Sequence, residues 1–387
     1  MFKYHTKCRV CSSTDLVSVA DFGLTPLAND FQKPGDEVAG YAPLDVLFCE
    51  KCSLAQLSAT VAPEVLYSRY SYVSSTSKTM LEHMDKLIQD IRFEHGSPIV
   101  NVLEIGSNTG VFLERFKPYC QIISGIDPAV NLAHEAASRG AQVFVGLFNC
   151  ENAKKALRAD VVVARHVFAH VDDWHEFVAA LDHVTNPGST VVIEVPYVGD
   201  MLDKGEWDSV YHEHLSYVSI RSVNRLLAKT PWYVAATKKY AVHGGSIAFF
   251  IKRRTPDSVS VPDDELTEFD FCKSSEAWKQ NANVFWSEMV RGAPKTIFGY
   301  GAPAKATLWT SYLKLRRKDI LFVHDNTPQK QGCFMPGTDI PVVAETDGMA
   351  ECDVGIVFAW NYFDEIKAKS PQFVAEKLVV PFRVAGR

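Results

Sequence analysis

Val102-Leu103-Glu104-Ile105-Gly106-Ser107-Asn108-Thr109-Gly110 is an apolar strand that runs into a glycine-bearing turn, and Val111-Phe112-Leu113 then opens an amphipathic helix. That order marks a cofactor loop at the carboxyl end of the first strand of a doubly wound sheet. A dinucleotide fold wants G-x-G-x-x-G, which lets the backbone approach a pyrophosphate. Here only Gly106 and Gly110 are present, which argues against NAD. S-adenosylmethionine carries no phosphate, so its loop needs only a tight turn beneath the methionine part, with an acidic residue such as Glu104 near the α-ammonium. Glu104, Gly106, Ser107, Asn108 and Gly110 are therefore candidate cofactor contacts. About twenty residues on, Ile122-Ile123-Ser124-Gly125-Ile126 reads as a second buried strand ending at Asp127, where a carboxylate can accept both ribose hydroxyls. A strand-turn-helix that binds nothing is the alternative reading.

At 387 residues the chain exceeds the size at which one hydrophobic core keeps growing, so two or three domains are expected. The net charge of −6, with Lys and Arg scattered, provides no basic surface, and nucleic acid is not an expected partner. Met1-Phe2-Lys3-Tyr4-His5 lacks an apolar signal core, and no apolar run approaches the roughly twenty residues of a membrane span. A soluble, cytoplasmic protein without a membrane partner is expected. Nine cysteines is an odd number, and in a reducing compartment close cysteine pairs read as metal ligands rather than disulfides.

Four of the nine form two knuckles, Cys8-Arg9-Val10-Cys11 and Cys49-Glu50-Lys51-Cys52, each bringing two thiolates to one tetrahedral zinc. Four cysteines close the coordination shell, so the expected zinc is structural. The insert between the knuckles, with Pro26, Pro34, Gly35 and Pro43, predicts a loop or small hairpin projecting from the metal site. Tyr67, Tyr70 and Tyr72 crowd the approach to the cofactor segment and read as a lid over the ligand or as packing between modules. A helix follows, with Met80, Leu81, Met84, Leu87, Ile88 and Ile91 on one face.

From Pro98 to about Ile251 strand and helix patterns alternate. Strands are predicted at Ile99 to Ile105, Ile122 to Asp127, Ala141 to Val145, Asp160 to Arg165, Thr190 to Val195, Tyr233 to Tyr240 and Ser246 to Ile251. Only Ala241-Val242-His243-Gly244-Gly245 separates the last two, too short for a crossover, so one strand runs antiparallel. Seven strands ending in a hairpin resemble the class I methyltransferase layout. The fourth strand feeds Arg165-His166-Val167-Phe168-Ala169-His170, which places His166 and His170 at the switch point beside the glycine loop, as ligand contacts or as structural residues. After the fifth strand comes Tyr211-His212-Glu213-His214. Histidines two apart cannot share a helical face as H-E-x-x-H requires, which rejects a zinc protease. The cluster supplies a phenol, a carboxylate and two imidazoles, the groups that move protons near neutral pH.

The final third opens with a polar helix-prone stretch at Ser258 to Glu288. It continues into Ile297-Phe298-Gly299-Tyr300-Gly301-Ala302-Pro303-Ala304-Lys305, a strand and Gly-x-Gly with a nearby Lys that suggests a phosphate cradle. A further strand, Ile320 to Val323, ends at His324-Asp325-Asn326, where a second Rossmann-like unit would meet a ribose.

The cysteine knuckles, the Glu-Ile-Gly-Ser-Asn loop, Phe168-Ala169-His170 and Tyr211-His212-Glu213-His214 together resemble the S-adenosylmethionine-dependent C-3 methyltransferases of nucleotide-linked 4-keto-6-deoxysugars, over essentially the whole chain. Thr109 departs from the family, which would carry an acidic residue there, and Ala306 stands where a glycine is commoner. The resemblance implies an α/β protein in three parts. These are a zinc-ribbon-like module at 1–70, a class I methyltransferase core at 71–252 and a Rossmann-like nucleotide-sugar domain at 253–387, working as a monomer. It implies His214 as general base with Glu213 orienting it. Tyr211 and His170 would be partners of the developing oxyanion, and Tyr72 a further member of the catalytic set. His166 is carried over as a cofactor contact, and His243, Gly301 and Lys305 as substrate contacts. The rival readings are an O- or N-methyltransferase of another small metabolite, and a zinc-ribbon interaction protein whose core is only a scaffold.

Overall fold

A computed structural model describes residues 1–36, 40–66, 77–291, 295–344 and 348–381. In chain order the first strands are β1 (Phe2–Tyr4), β2 (Leu16–Pro26), β3 (Tyr41–Cys49), β4 (Ala55–Leu57) and β5 (Ala59–Val61). The insert between the knuckles is neither short nor projecting, as the sequence had suggested. It forms a long antiparallel hairpin paired from Leu16↔Cys49 to Pro26↔Tyr41, with register shifts between Ser18 and Ala20 and between Asp21 and Leu24. In β3 the apolar residues Ala42, Leu44, Val46 and Phe48 fall on alternate positions, so one whole face is buried. That face joins a cluster with Trp207, Trp278 and Trp309 from the two later parts of the chain.

The helix predicted on the Met80 to Ile91 face spans Lys78–His95, N-capped by the Ser77 side chain and stopped by Gly96 in the left-handed conformation. It covers a seven-stranded sheet made of β6 (Asn101–Ile105), β7 (Ile122–Asp127), β8 (Gln142–Val145), β9 (Ala159–Arg165) and β10 (Thr185–Pro196), with two strands introduced below. β11 (Ser216–Tyr217) comes next but pairs elsewhere, and β12 (Trp232–Tyr240) and β13 (Ser246–Arg253) complete the sheet. The order is β12-β13-β10-β9-β6-β7-β8, with β13 antiparallel to both neighbours. This is the hairpin-terminated doubly wound sheet that the alternation predicted. Its strands are almost wholly apolar because helices cover both faces.

β11 pairs antiparallel with β4, Ser216↔Gln56 and Tyr217↔Ala55, so the amino-terminal sheet reads β11-β4-β3-β2. The segment following Tyr211-His212-Glu213-His214 is thus stitched to the cysteine module. A second bond, Leu57 N–H to Leu215 C=O at 3.0 Å, continues the seam.

The helix Glu268–Met289, with a Thr267/Asp270 capping box, leads to the last unit. There β14 (Ile297–Tyr300), β15 (Val323–His324), β16 (Val342–Val343), β17 (Val354–Val357) and β18 (Leu378–Val379) form a parallel sheet in the order β16-β15-β14-β17-β18. Tyr67, Tyr70 and Tyr72 lie outside the described residues, as does the boundary placed after residue 70. Among the described residues no helix is long and apolar enough to cross a membrane.

Candidate active site

At the end of β6 the chain must reverse into a helix, and Gly106 does so at φ +71°, where an added Cβ would run into the Val167 side chain. Gly106 N–H reaches Ile126 C=O at 2.8 Å, and Asn108 N–H reaches Asp127 Oδ2 at 2.8 Å. Asp127 Oδ1 takes the Ala129 N–H. The buried carboxylate is thereby fixed beside the loop with lone pairs left for two hydroxyls.

Beneath the loop lies a buried ionic group that the sequence reading did not single out as a unit. Arg165 stands 3.5 Å from both Glu104 and Glu194, and Glu194 also meets His83 at 2.5 Å and His166 at 3.6 Å. Burial pushes the Glu104 carboxyl up to about 8 despite Arg165. Burial acts the same way on Glu194, but His166, the His83 hydrogen bond and Arg165 outweigh it and hold that carboxyl at about 2. Burial lowers His166 to about 4. Among the described residues Glu104 Oε2, Ser107 Oγ, His166 Nε2 and Glu194 Oε2 are buried without a hydrogen-bond partner. Glu194 Oε2 is already faced by Arg165 and His166, whereas the unpartnered Glu104 Oε2, on the strand that leads into the loop, is a buried acceptor that an α-ammonium would satisfy, so the residues match S-adenosylmethionine.

Tyr211 and His214 come together because His214 N–H closes a turn on Tyr211 C=O at 2.9 Å, which sets side chains i and i+3 side by side. His214 Nδ1 lies 2.8 Å from the Ser209 carbonyl, which only accepts, so the ring carries its proton on Nδ1. Nε2 is then the lone-pair atom and receives the Tyr211 hydroxyl at 2.7 Å. Burial and the neighbouring His170 keep the His214 ring's pKa well below the usual histidine value. Leu215 N–H bonds Ala169 C=O at 2.8 Å, which brings His170 edge-on to His214 with ring centres 5.0 Å apart. His166 and His243 meet likewise at 4.5 Å.

Glu213 does not orient His214. Adjacent residues of a turn diverge, and the Glu213 carboxylate takes both its hydrogen bonds from Asn29 Nδ2, at 2.8 Å each, facing the hairpin rather than the imidazole. Burial raises it to about 7. His212 reaches the Ala42 carbonyl at 3.2 Å and is a packing residue.

The carboxyl-terminal unit repeats the loop pattern of the core. Gly301 N–H bonds His324 C=O at 2.7 Å and Ala302 N–H bonds Asp325 Oδ2 at 2.7 Å. Lys305 Nζ lies 4.1 Å over the Trp360 ring and 3.4 Å from Asn361 Oδ1. The Trp360–Tyr362 turn packs on the Val242–Gly244 turn, and the Lys305 ammonium is near enough to His243 to help lower its pKa.

The four cysteine sulfurs all lie within 4.8 Å of one another, with Cys8 and Cys52 3.4 Å apart and Cys11 and Cys49 3.5 Å apart. Sulfurs around a tetrahedral zinc sit about 3.8 Å apart, so the set fits that ion. Bonds from Cys52 and Cys8 hold the Cys49 thiol down, while Cys8 and Cys52 are themselves pushed up, and a bound cation is what would let those two ionise.

Three family models match the chain: a zinc binding domain over residues 8–67, a methyltransferase domain over 76–236 and a C-methyltransferase C-terminal domain over 241–382. The chain is 32% identical to the C-methyltransferase NovU of Streptomyces niveus, across 97% of its own length and 95% of that protein. Among solved structures, the N-methyltransferase NodS of Bradyrhizobium japonicum is 12% identical, with a TM-score of 0.36, and matches 46% of this chain and 100% of its own. Magnesium protoporphyrin IX methyltransferase of Synechocystis, with bound S-adenosylhomocysteine, is 11% identical, with a TM-score of 0.38, and matches 49% of this chain and 93% of its own.

Proposed function

Because the chain belongs to the zinc-module S-adenosylmethionine-dependent C-methyltransferases, we propose that it methylates C-3 of a nucleoside-diphosphate-linked 4-keto-6-deoxysugar in deoxysugar biosynthesis. S-adenosylmethionine supplies an electrophilic methyl group on its sulfonium. A carbon nucleophile has to be made, and a ketone makes its neighbouring carbon acidic enough for a side-chain base. The Tyr211–His214 pair supports this reading most directly, since the hydrogen bond between the phenol and Nε2 is already directed for proton removal. His214 accepts the C-3 proton through the Tyr211 hydroxyl. The phenol oxygen takes the proton from carbon as its own proton moves to Nε2, and the Ser209 carbonyl steadies the resulting imidazolium through Nδ1–H. The C–H electron pair passes into the enolate, which attacks the methyl carbon as the C–S bond breaks, leaving S-adenosylhomocysteine. His170, edge-on to His214, is placed to donate toward the C-4 oxygen. Glu104, Asp127 and His166 hold the cofactor, and His243, Gly301 and Lys305 hold the nucleotide sugar. Both reactants are intracellular metabolites, which supports a cytoplasmic site, and action as a monomer belongs to the same proposal.

Carbon-labelled methyl-S-adenosylmethionine with thymidine-diphosphate-4-keto-6-deoxyglucose tests the proposal. Carbon NMR of the product should place the label on C-3. A label on oxygen or nitrogen overturns carbon methylation, and a label on C-5, which the ketone also acidifies, overturns the position.

A further inference from the structure

We propose that Glu206 is a further catalytic residue, whose carboxyl O–H donates a hydrogen bond to the C-4 oxygen of the sugar as the enolate forms. This rests on the carbon-methylation reading above. One cavity is lined by Ala169, Tyr197, Met201, Glu206, His214 and His243. Glu206 is 4% exposed and its Oε1 has no hydrogen-bond partner among the described residues. The opposite wall is cut to fit it, since a Cβ on Gly244 would overlap the Glu206 carboxyl.

The backbone of Glu206 and the base are fastened to the same residue. Ser209 gives its N–H, at 3.1 Å, and its hydroxyl, at 2.6 Å, to the Glu206 carbonyl, and its own carbonyl receives His214 Nδ1–H at 2.8 Å. The Tyr211 hydroxyl has one proton, and that proton points at His214 Nε2. Tyr211 therefore serves the base, which leaves His170 as the one donor to the oxyanion in the scheme above, and Glu206 adds a second. Glu206 supplies a hydrogen bond only, keeping its proton while the C-3 proton goes to the Tyr211–His214 pair.

The groups facing Glu206 are Lys305 from the carboxyl-terminal unit, Asp208 beside it, Asp200 and Lys204 from the preceding helix, His243 across the turn, and Tyr197 and His214 along the cavity. Burial, opposed by Lys305, sets the carboxyl at about 7. Below that pH it is a donor; above it the carboxylate repels the enolate. Turnover should fall as pH rises through that value.

The zinc-loaded full chain is assayed with S-adenosylmethionine and thymidine-diphosphate-4-keto-6-deoxyglucose from about pH 6 to about pH 9, as wild type, Glu206→Ala and Glu206→Gln. Calorimetric S-adenosylmethionine affinity checks that each variant is folded. Glu206→Ala should lower kcat by about 10²-fold at the low end of that range, the loss of one oxyanion donor. Glu206→Gln, which keeps a donor that cannot ionise, should lose less and show no alkaline decline of this origin. Wild-type turnover in Glu206→Ala, or an alkaline decline unchanged in Glu206→Gln, overturns the assignment and leaves carbon methylation standing. A wild-type enzyme that methylates no carbon of the probe, nor exchanges its C–H hydrogens with solvent, overturns both.

Discussion

Arg9 sits in the first cysteine knuckle, yet its guanidinium reaches the carbonyl of Leu215, so replacing it with Met tests whether the zinc module positions the proposed base, His214. NH1 donates to the carbonyls of Leu57 and Leu215, at 3.3 and 3.2 Å, and NH2 to Thr60 Oγ1 at 2.6 Å. Nε meets Asp172 at 3.2 Å. Asp172 is 56% exposed, so that ion pair contributes about 0.5 kcal/mol. The three inner bonds come from a charged donor and are worth about 1 kcal/mol each at these lengths. Leu215 C=O still receives the Leu57 N–H, so the loss is not compounded there. The total is about 3.5 kcal/mol, most of it on the seam holding Leu215, one residue from His214. Arg9→Met should lower the melting temperature by several degrees and kcat by at least about tenfold, while S-adenosylmethionine affinity stays near wild type. Arg9→Lys should recover little, because an ammonium cannot span the two carbonyls. Differential scanning calorimetry, steady-state kinetics and titration calorimetry read the three quantities. An Arg9→Met enzyme that melts and turns over like wild type would refute the idea that this module positions the base.

Cys8→Ser or Cys49→Ser should release zinc and lower thermal stability, because thiolate binding to the metal is part of the folding free energy; metal analysis that finds the wild type without zinc would sink this. Asp127→Ala should weaken S-adenosylmethionine by about 1.5–3 kcal/mol, roughly 10- to 150-fold by calorimetry, with zinc content unchanged. Two buried carboxyls should pull the stability of the ligand-free protein in opposite directions with pH. Glu104, raised to about 8, contributes stability that is full below about 4.5 and lost as pH climbs toward 8, whereas Glu194, depressed to about 2, contributes stability that is lost as pH falls from 4.5 toward 2. Thermal melts should show Glu104→Gln flattening the alkaline side alone.

The sheet of the core was legible because burial on both faces leaves apolar runs, and because five residues between β12 and β13 permit only a hairpin. The cysteine doublets were legible because tetrahedral zinc demands that spacing. The β2–β3 hairpin was obscured by its prolines and glycines, although Ala42, Leu44, Val46 and Phe48 alternate as a half-buried strand must. His83 and Glu194 did carry a signal, a histidine on the apolar face of a helix and a carboxylate inside an apolar strand, each of which requires a buried partner. The division of labour in Tyr211-His212-Glu213-His214 was not legible. It depends on a turn that separates Glu213 from His214, and on the carbonyl of Ser209, which any residue would carry. Glu206 has no local pattern, because its neighbours Lys305 and Gly244 are distant in the chain.

If this protein makes a carbanion equivalent at the sugar, hydrogen exchange reports it without methyl transfer. Thymidine-diphosphate-4-keto-6-deoxyglucose is incubated in deuterium oxide with the zinc-loaded enzyme and S-adenosylhomocysteine, and the C-3 proton signal is followed by NMR. The wild type should erase that signal, and His214→Asn should slow the loss by about 10²- to 10⁴-fold while S-adenosylhomocysteine still binds. A C-3 signal that persists with wild-type enzyme, while label from S-adenosylmethionine still reaches the sugar, would contradict the account.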